Sequence, residues 1–404
     1  MGNTGSRSAT ISGSQSLGAS GKLSASAQSG RASQNFAAVV GIFMRAYENG
    51  DINVPEIKKA IEGLSVALDK DPKLSSTVDL SFISGLKDWK QGNQNMFAHV
   101  QLAAYCAKEV YNLRTKQDID LRKARPAATP GSSATLVDAE PVQVIAGEEA
   151  SYLHNTKNWA LFKDPKSGTL YFSVRGTSTT GIAAVIDNLT NLDAGAQLTQ
   201  DFDTATEKQG HFQAHKGFLD VANSMFSGVK DAVMKASKGA GQKPTLVFCG
   251  HSAGGGTAFF LYHYFQIRTT QAERDVFKDI HCITFGSAAI ASVPNPVHTS
   301  RAQDRILSFI NLNDPVPRAE VPYAEWLAES LGRYLAVQSG HANIPPFSPL
   351  PKQTLYPGGE LVLLDEGGGV AGKLESNALS GHAFLDLSAH DSSEYKRIVY
   401  ELLK

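Results

Sequence analysis

Cysteine is scarce in this chain. Among 404 residues there are three, Cys106, Cys249 and Cys282, widely spaced. An odd, sparse set excludes a disulfide framework and a thiolate zinc site. Cys249 and Cys282 fall in apolar, strand-like runs and read as core residues. Neither sign of charge is in excess. Lys and Arg number 38 and Asp and Glu 39, for a net charge of −1, which excludes wholesale nucleic-acid binding through a basic surface. Long apolar runs are missing too. None approaches the roughly 18 residues of a membrane helix, and the first residues lack the apolar stretch of a secretory signal peptide. Residues 1–35 contain no Asp or Glu and are rich in Ser, Gly, Ala and Gln. Such a segment cannot bury enough apolar surface to fold, so residues 1–34 are expected to be a disordered tail. The whole chain is 42% hydrophobic, ample for a core elsewhere.

The tail supports two readings. Met1-Gly2-Asn3-Thr4-Gly5-Ser6 fits the M-G-x-x-x-[ST] pattern for myristoylation of Gly2. One acyl chain gives only marginal membrane binding, so a second signal would be needed. The same Ser-rich, acid-poor composition resembles the type III secretion signals of bacterial effectors. The expected location is therefore soluble or peripheral to a membrane, with export into a host cell as one route. Residues 35–92 are expected to form a helical accessory segment. Phe36, Val40, Phe43 and Tyr47 share one helical face, and Ile57, Ile61, Leu64 and Leu68 form a second apolar stripe behind Asn53 and Pro55.

A third helical pattern covers 95–113, and a loop is expected over 114–135. From about 141, strand-like and helix-like segments alternate. Strands are expected at "VQVIAG", "NWALFKD", "TLYFSVRG", "TLVFCG", "IHCITFG", "RILSFINLN" and, last, "GELVLLD". Helices are expected over 215–237, 256–270 and 392–404. Strands separated by helix-length spans imply an α/β fold, with a mostly parallel central sheet flanked by helices.

The chemistry centres on Gly250-His251-Ser252-Ala253-Gly254, between a strand and a helix. A G-x-S-x-G turn in that setting lifts a serine hydroxyl above the end of a sheet, and its tight backbone demands glycines. A nucleophilic serine needs a base, an acid to orient the base, and oxyanion donors. Asp314 follows the strand "RILSFINLN", where active groups of parallel sheets lie. Asp-Pro is also a common turn initiator, but its place after Ser252 fits the Ser…Asp…His order of α/β-hydrolases. For the base, His382 and His390 both follow the last expected strand, with His341 further off in a Pro-rich loop. His390 is favoured because Asp391-Ser392-Ser393-Glu394 reads as a helix start with a capping box. His251, next to the nucleophile, is expected to shape the turn. Ala253, at the amino end of the following helix, and Thr177, after "YFSVRG", are expected to supply the oxyanion N–H groups.

These pieces resemble the class 3 lipases, the family of the fungal triacylglycerol lipases and plant phospholipase A1-like enzymes. The landmarks come in family order: "AAYC" at 103–106, "VRGT" at 174–177, "HKGF" at 215–218, "GHSAGG" at 250–255, "TFGS" at 284–287, "NDPVPR" at 313–318, "YPGGELVLL" at 356–364 and "HDSSEY" at 390–395. The resemblance implies a lipase-like α/β-hydrolase domain over 93–404, with Ser252, Asp314 and His390 as triad and Thr177 and Ala253 as oxyanion pair. The spacing from His390 to Tyr395 resembles the family's ending. It implies a serine carboxylester hydrolase acting on phospholipid or acylglycerol at a membrane surface, needing no metal or cofactor; a protein partner is not indicated. It also implies a lid at 178–195, whose run from Ile182 to Ile186 would cover the site. The 33–92 helices, the tail and the 319–380 stretch depart from the family pattern and leave the substrate open. The alternative is a lipase-like binding module that recognises lipid or protein with little turnover.

Overall fold

The computed structural model describes residues 63–64, 66, 86–123, 141–151, 156–176, 199–201, 213–238, 242–293, 301–338, 348–375, 378–379 and 382–404. The tail with Gly2, the expected 36–47 helix, most of the second helix, Thr177, the expected lid and His341 lie outside the described residues.

Eleven strands are described: β1 (Lys87–Asp88), β2 (Gln143–Glu148), β3 (Trp159–Lys163), β4 (Leu170–Val174), β5 (Thr199–Asp201), β6 (Gln213–His215), β7 (Leu246–His251), β8 (Ile280–Phe285), β9 (Ile306–Asn311), β10 (Glu360–Asp365) and β11 (Val370–Leu374). The helices are α1 (Phe97–Glu109), α2 (Lys116–Lys123), α3 (Lys216–Ser237), α4 (Ala253–Arg268), α5 (Gln271–Arg274), α6 (Val321–Gln338) and α7 (Ser392–Leu402). Nine strands make one sheet in the order β1-β11-β10-β9-β8-β7-β4-β3-β2, and β5 pairs with β6.

The five central strands, β10, β9, β8, β7 and β4, run parallel. Both margins are antiparallel, through β4–β3–β2 on one side and β10–β11–β1 on the other. The expectation of a mostly parallel sheet therefore describes the centre, and the sheet as a whole is mixed. Short connections join β2, β3 and β4, and β10 and β11, as only antiparallel neighbours allow, whereas β1 reaches β11 from far earlier in the chain.

The parallel strands are buried on both faces, as helix-covered strands must be. Alternation along β7 divides them. Leu246 and Phe248 face a core shared with α3 and α4, whereas Val247 and Cys249 face one shared with α1 and α7. The side chains of α3 that enter the first core, Phe218, Leu219, Ala222, Met225, Val229 and Val233, recur at helical spacing. Helix α4 is buried around its whole circumference from Ala253 to Gln266, as its lack of charge there requires. The three cysteines are free and buried. Leu64, in the stretch expected to be an accessory segment, packs with Tyr323 and Trp326 of α6.

Candidate active site

Strand β7 ends at His251, and α4 begins at Ala253. Ser252 makes the connection alone, at φ 60° and ψ −133°. A non-glycine residue there stores strain of about 1–3 kcal/mol, which the surrounding packing must hold. The Ser252 N–H donates to the Phe285 carbonyl of β8 at 2.9 Å, and its own carbonyl accepts from Gly255 and Gly256. The flanking glycines are explained by close approach. A Cβ on Gly250 would lie 2.5 Å from the Gly254 backbone, and one on Gly254 would lie 2.2 Å from the Val174 carbonyl oxygen. The sharp strand-to-helix turn holds Ser252 at the carboxyl end of the sheet, where it is 2% exposed.

Asp314 lies just beyond β9. Asn313 before it is left-handed, φ 70°, a conformation that asparagine tolerates better than most residues. The carboxylate is fully buried and fully partnered. Its Oδ1 accepts the Val316 N–H at 2.9 Å, and its Oδ2 accepts the Tyr395 hydroxyl at 2.6 Å. His390 Nδ1 lies 2.9 Å from Oδ2 and 3.1 Å from Oδ1. A carboxylate only accepts, so Nδ1 carries the proton and Nε2 is left with its lone pair. Nε2 is buried and has no hydrogen-bond partner among the described residues. Tyr395 in turn accepts the Asn311 N–H at 2.9 Å. Burial, and then the nearby Asp314, push its phenol well above the usual range, so it remains a donor.

His390 ends a short 3₁₀ turn, Leu387–His390, directly before α7. Asp391 caps α7 by accepting the Ser393 N–H at 2.7 Å. The expected capping box is not the contact made: Glu394 pairs with Arg397 instead. The Ala389 carbonyl accepts from Asn311 Nδ2 at 2.9 Å, so the last residue of β9 braces the histidine loop with its side chain and α7, through Tyr395, with its backbone. The His382 ring stacks on Phe384, and the His382 carbonyl accepts from Arg318. Of the two histidines open in the sequence, the structure sets His390 against the carboxylate.

Ala253 is the first residue of α4, so its N–H has no acceptor within the helix. Gly176, next to Thr177, packs beside the nucleophile turn, and a Cβ there would lie 3.3 Å from the Ser252 Cβ. The His251 ring bonds elsewhere than to a carboxylate. Its Nε2 lies 2.7 Å from the His390 carbonyl oxygen and its Nδ1 lies 3.1 Å from the Tyr111 hydroxyl. Tyr111 is outside every motif read from the sequence; a lone tyrosine at a helix end carries no pattern. Among the described residues no group of three or more His, Cys, Asp or Glu could hold a metal ion, and no helix is long and apolar enough to cross a membrane.

Comparison with known proteins adds a family. Solved structures similar to the chain include the triacylglyceride lipase of Rhizomucor miehei, 13% identical, covering 74% of this chain and 97% of that one at TM-score 0.47. The Lip2 lipase of Yarrowia lipolytica is 14% identical, covering 74% and 93% at TM-score 0.46. A triacylglycerol lipase of Penicillium expansum is 13% identical, covering 74% and 97% at TM-score 0.40. No curated protein sequence matches the chain. A family model, Lipase (class 3), matches residues 171–324, which hold β4, the Ser252 turn and Asp314. The match to the class 3 lipase model supports a carboxylic ester hydrolase.

Proposed function

We propose that the chain hydrolyses lipid esters through Ser252, His390 and Asp314. The observation that carries this reading is the buried His390–Asp314 pair, 2.9 Å apart, on the loops around the strained Ser252. Ser252 attacks the ester carbonyl and passes its proton to His390 Nε2. Asp314 holds the Nδ1–H tautomer and stabilises the imidazolium that forms. The Ala253 and Thr177 N–H groups receive the oxyanion, with the amino end of α4 adding its dipole. The alcohol leaves with the proton from His390, and water then releases the acyl group from Ser252 by the same route. The substrate we favour is a glycerophospholipid cut in the manner of a phospholipase A1, ahead of an acylglycerol. A tail that fits acylation at Gly2 would deliver the enzyme to a membrane.

The test is hydrolysis of a mixed phospholipid and neutral-lipid extract, wild type beside Ser252→Ala, with products read by mass spectrometry. Ser252→Ala lowers turnover about 10⁴–10⁶-fold. His390→Ala is comparably damaging, and His382→Ala is mild. The lyso-product or partial glyceride left behind names the substrate class. A folded wild type that releases no fatty acid and takes up no fluorophosphonate label would instead be a lipid- or protein-binding module.

A further inference from the structure

We propose that Tyr111 and His251 form a hydrogen-bonded strap that fixes His390 and the loop at Gly176 relative to Ser252, and that both are positioning residues. The inference rests on the catalytic reading above. Tyr111 lies in the 3₁₀ turn Val110–Asn112 that follows α1. Its hydroxyl meets His251 Nδ1 at 3.1 Å, and the far nitrogen of that ring, Nε2, meets the His390 carbonyl oxygen at 2.7 Å.

The direction of each bond follows from what each atom can do. A carbonyl only accepts, so His251 Nε2 carries the proton. In a neutral imidazole Nδ1 must then accept, and the Tyr111 O–H donates to it. Burial, reinforced by the neighbouring His390, holds the His251 pKa well below its ordinary value of 6.5, so the ring stays neutral. Burial likewise pushes the Tyr111 phenol up, so its proton stays in place. Gly176 packs against the same phenol: a Cβ on it would lie 2.2 Å from the Tyr111 hydroxyl oxygen. The bonded line therefore runs from the phenol through the imidazole to the backbone of the base, with Gly176 packed against its start.

Asp314 aims the ring of His390, but it does not hold that residue's backbone. Two successive carbonyls do so: Ala389 is held by Asn311, and His390 by His251. Because His251 is the chain neighbour of Ser252, its bond to His390 couples base and nucleophile directly. The rings of His251 and His390 lie 4.5 Å apart, so a neutral His251 tolerates the imidazolium that His390 must become. Misplacement of a reacting group by about 1 Å can cost about 10²-fold in rate.

The test compares His251→Leu, His251→Gln and Tyr111→Phe with wild type on a soluble short-chain p-nitrophenyl ester, together with the imidazole ¹⁵N spectrum of the histidine-labelled wild type. His251→Leu lowers kcat about 10–100-fold with KM within about twofold, because the strap aligns the reaction and does not bind substrate. Tyr111→Phe lowers kcat by about 10-fold. His251→Gln restores activity to within about fivefold of wild type, since its amide can donate to the His390 carbonyl and accept from Tyr111. In the spectrum, His251 is neutral at pH 6 and protonated on Nε2. Equal losses in His251→Gln and His251→Leu would overturn the strap, as would a proton on Nδ1 in the wild type. A wild type without turnover but with the Nε2–H signal would sink the catalytic reading and leave the strap standing.

Discussion

Single residues set the His390–Asp314 pair through very short clearances. Gly286, after β8, has φ +52°, and a Cβ on it would lie 2.7 Å from Asp314 Oδ2, 2.9 Å from a Tyr395 ring carbon and 3.0 Å from His390 Nδ1. Gly286→Ala thus meets both a left-handed backbone and three groups of the site. It is expected to destabilise the fold by about 1–3 kcal/mol and to lower kcat by about 10–100-fold. Gly168→Ala is the control, because Gly168 has φ +73° but open space around it. It should lose comparable backbone energy and no activity, as urea unfolding and ester hydrolysis would show. A Gly286→Ala enzyme of normal kcat would mean that the pair can shift without penalty. At this scale Ser252, Asp314 and His390 could be named as candidates from the sequence, because G-x-S-x-G and the order of the three residues are local or ordinal features of the chain. Tyr111 and Gly286 were not. What matters at each is a distance to residues far away in the sequence; Tyr111 carries no pattern along it, and the TFGS landmark that holds Gly286 does not point to Asp314 or His390.

At the scale of elements, strands with apolar runs and helices with regular stripes appear close to where periodicity predicts them. Those that do not have physical reasons. Helix α2 falls within an expected loop; it buries only Ile119, so it has no stripe to read. Strand β1 is two residues long and exists through its pairing with β11, and β11 follows a strand expected to be the last. Helix α6 falls in the stretch left unassigned, although Tyr323, Trp326 and Leu331 are buried along it. The link from β9 to α6 matters most to the site, because it carries Asp314. Arg318, 1% exposed, donates to the His382 and Pro351 carbonyls and lies 4.6 Å from the Tyr323 ring centre. Glu320 accepts from the Thr354 and Leu355 backbone. Arg318→Met fills the space but leaves two buried carbonyls without donors, at about 1–3 kcal/mol each. A lower urea midpoint together with a lower kcat is expected; a lower midpoint with kcat intact would show that Asp314 is held without this link.

At the scale of the whole molecule, the fold buries neutral histidines, and its stability should therefore depend on acid. Burial lowers the pKa of His99, His215, His251, His263 and His281 from 6.5, to about 4 for His215 and about 3 for His263 and His281. In the unfolded chain these groups take up protons below pH 6.5, whereas in the fold they do not. A group with a depressed folded pKa gives its full stability above the unfolded value and loses it as pH falls towards the folded one. The window thus opens at 6.5 and closes near 4 for His215 and near 3 for the other two. Each group contributes a slope of about 1.4 kcal/mol per pH unit at most. Asp304 and Glu320, whose burial raises their pKa, act in the opposite sense, but from the ordinary carboxylate range. Between pH 7 and 5 the histidines should dominate, and the urea midpoint should fall steadily. His281 offers the discriminating variant, because its Nδ1 accepts the Arg305 N–H at 3.1 Å and must be neutral to do so. His281→Asn keeps an acceptor there and cannot titrate, so its midpoint should fall less steeply than that of the wild type. Parallel slopes would mean that His281 takes up its proton inside the folded molecule, and that the acid sensitivity comes from the other buried rings.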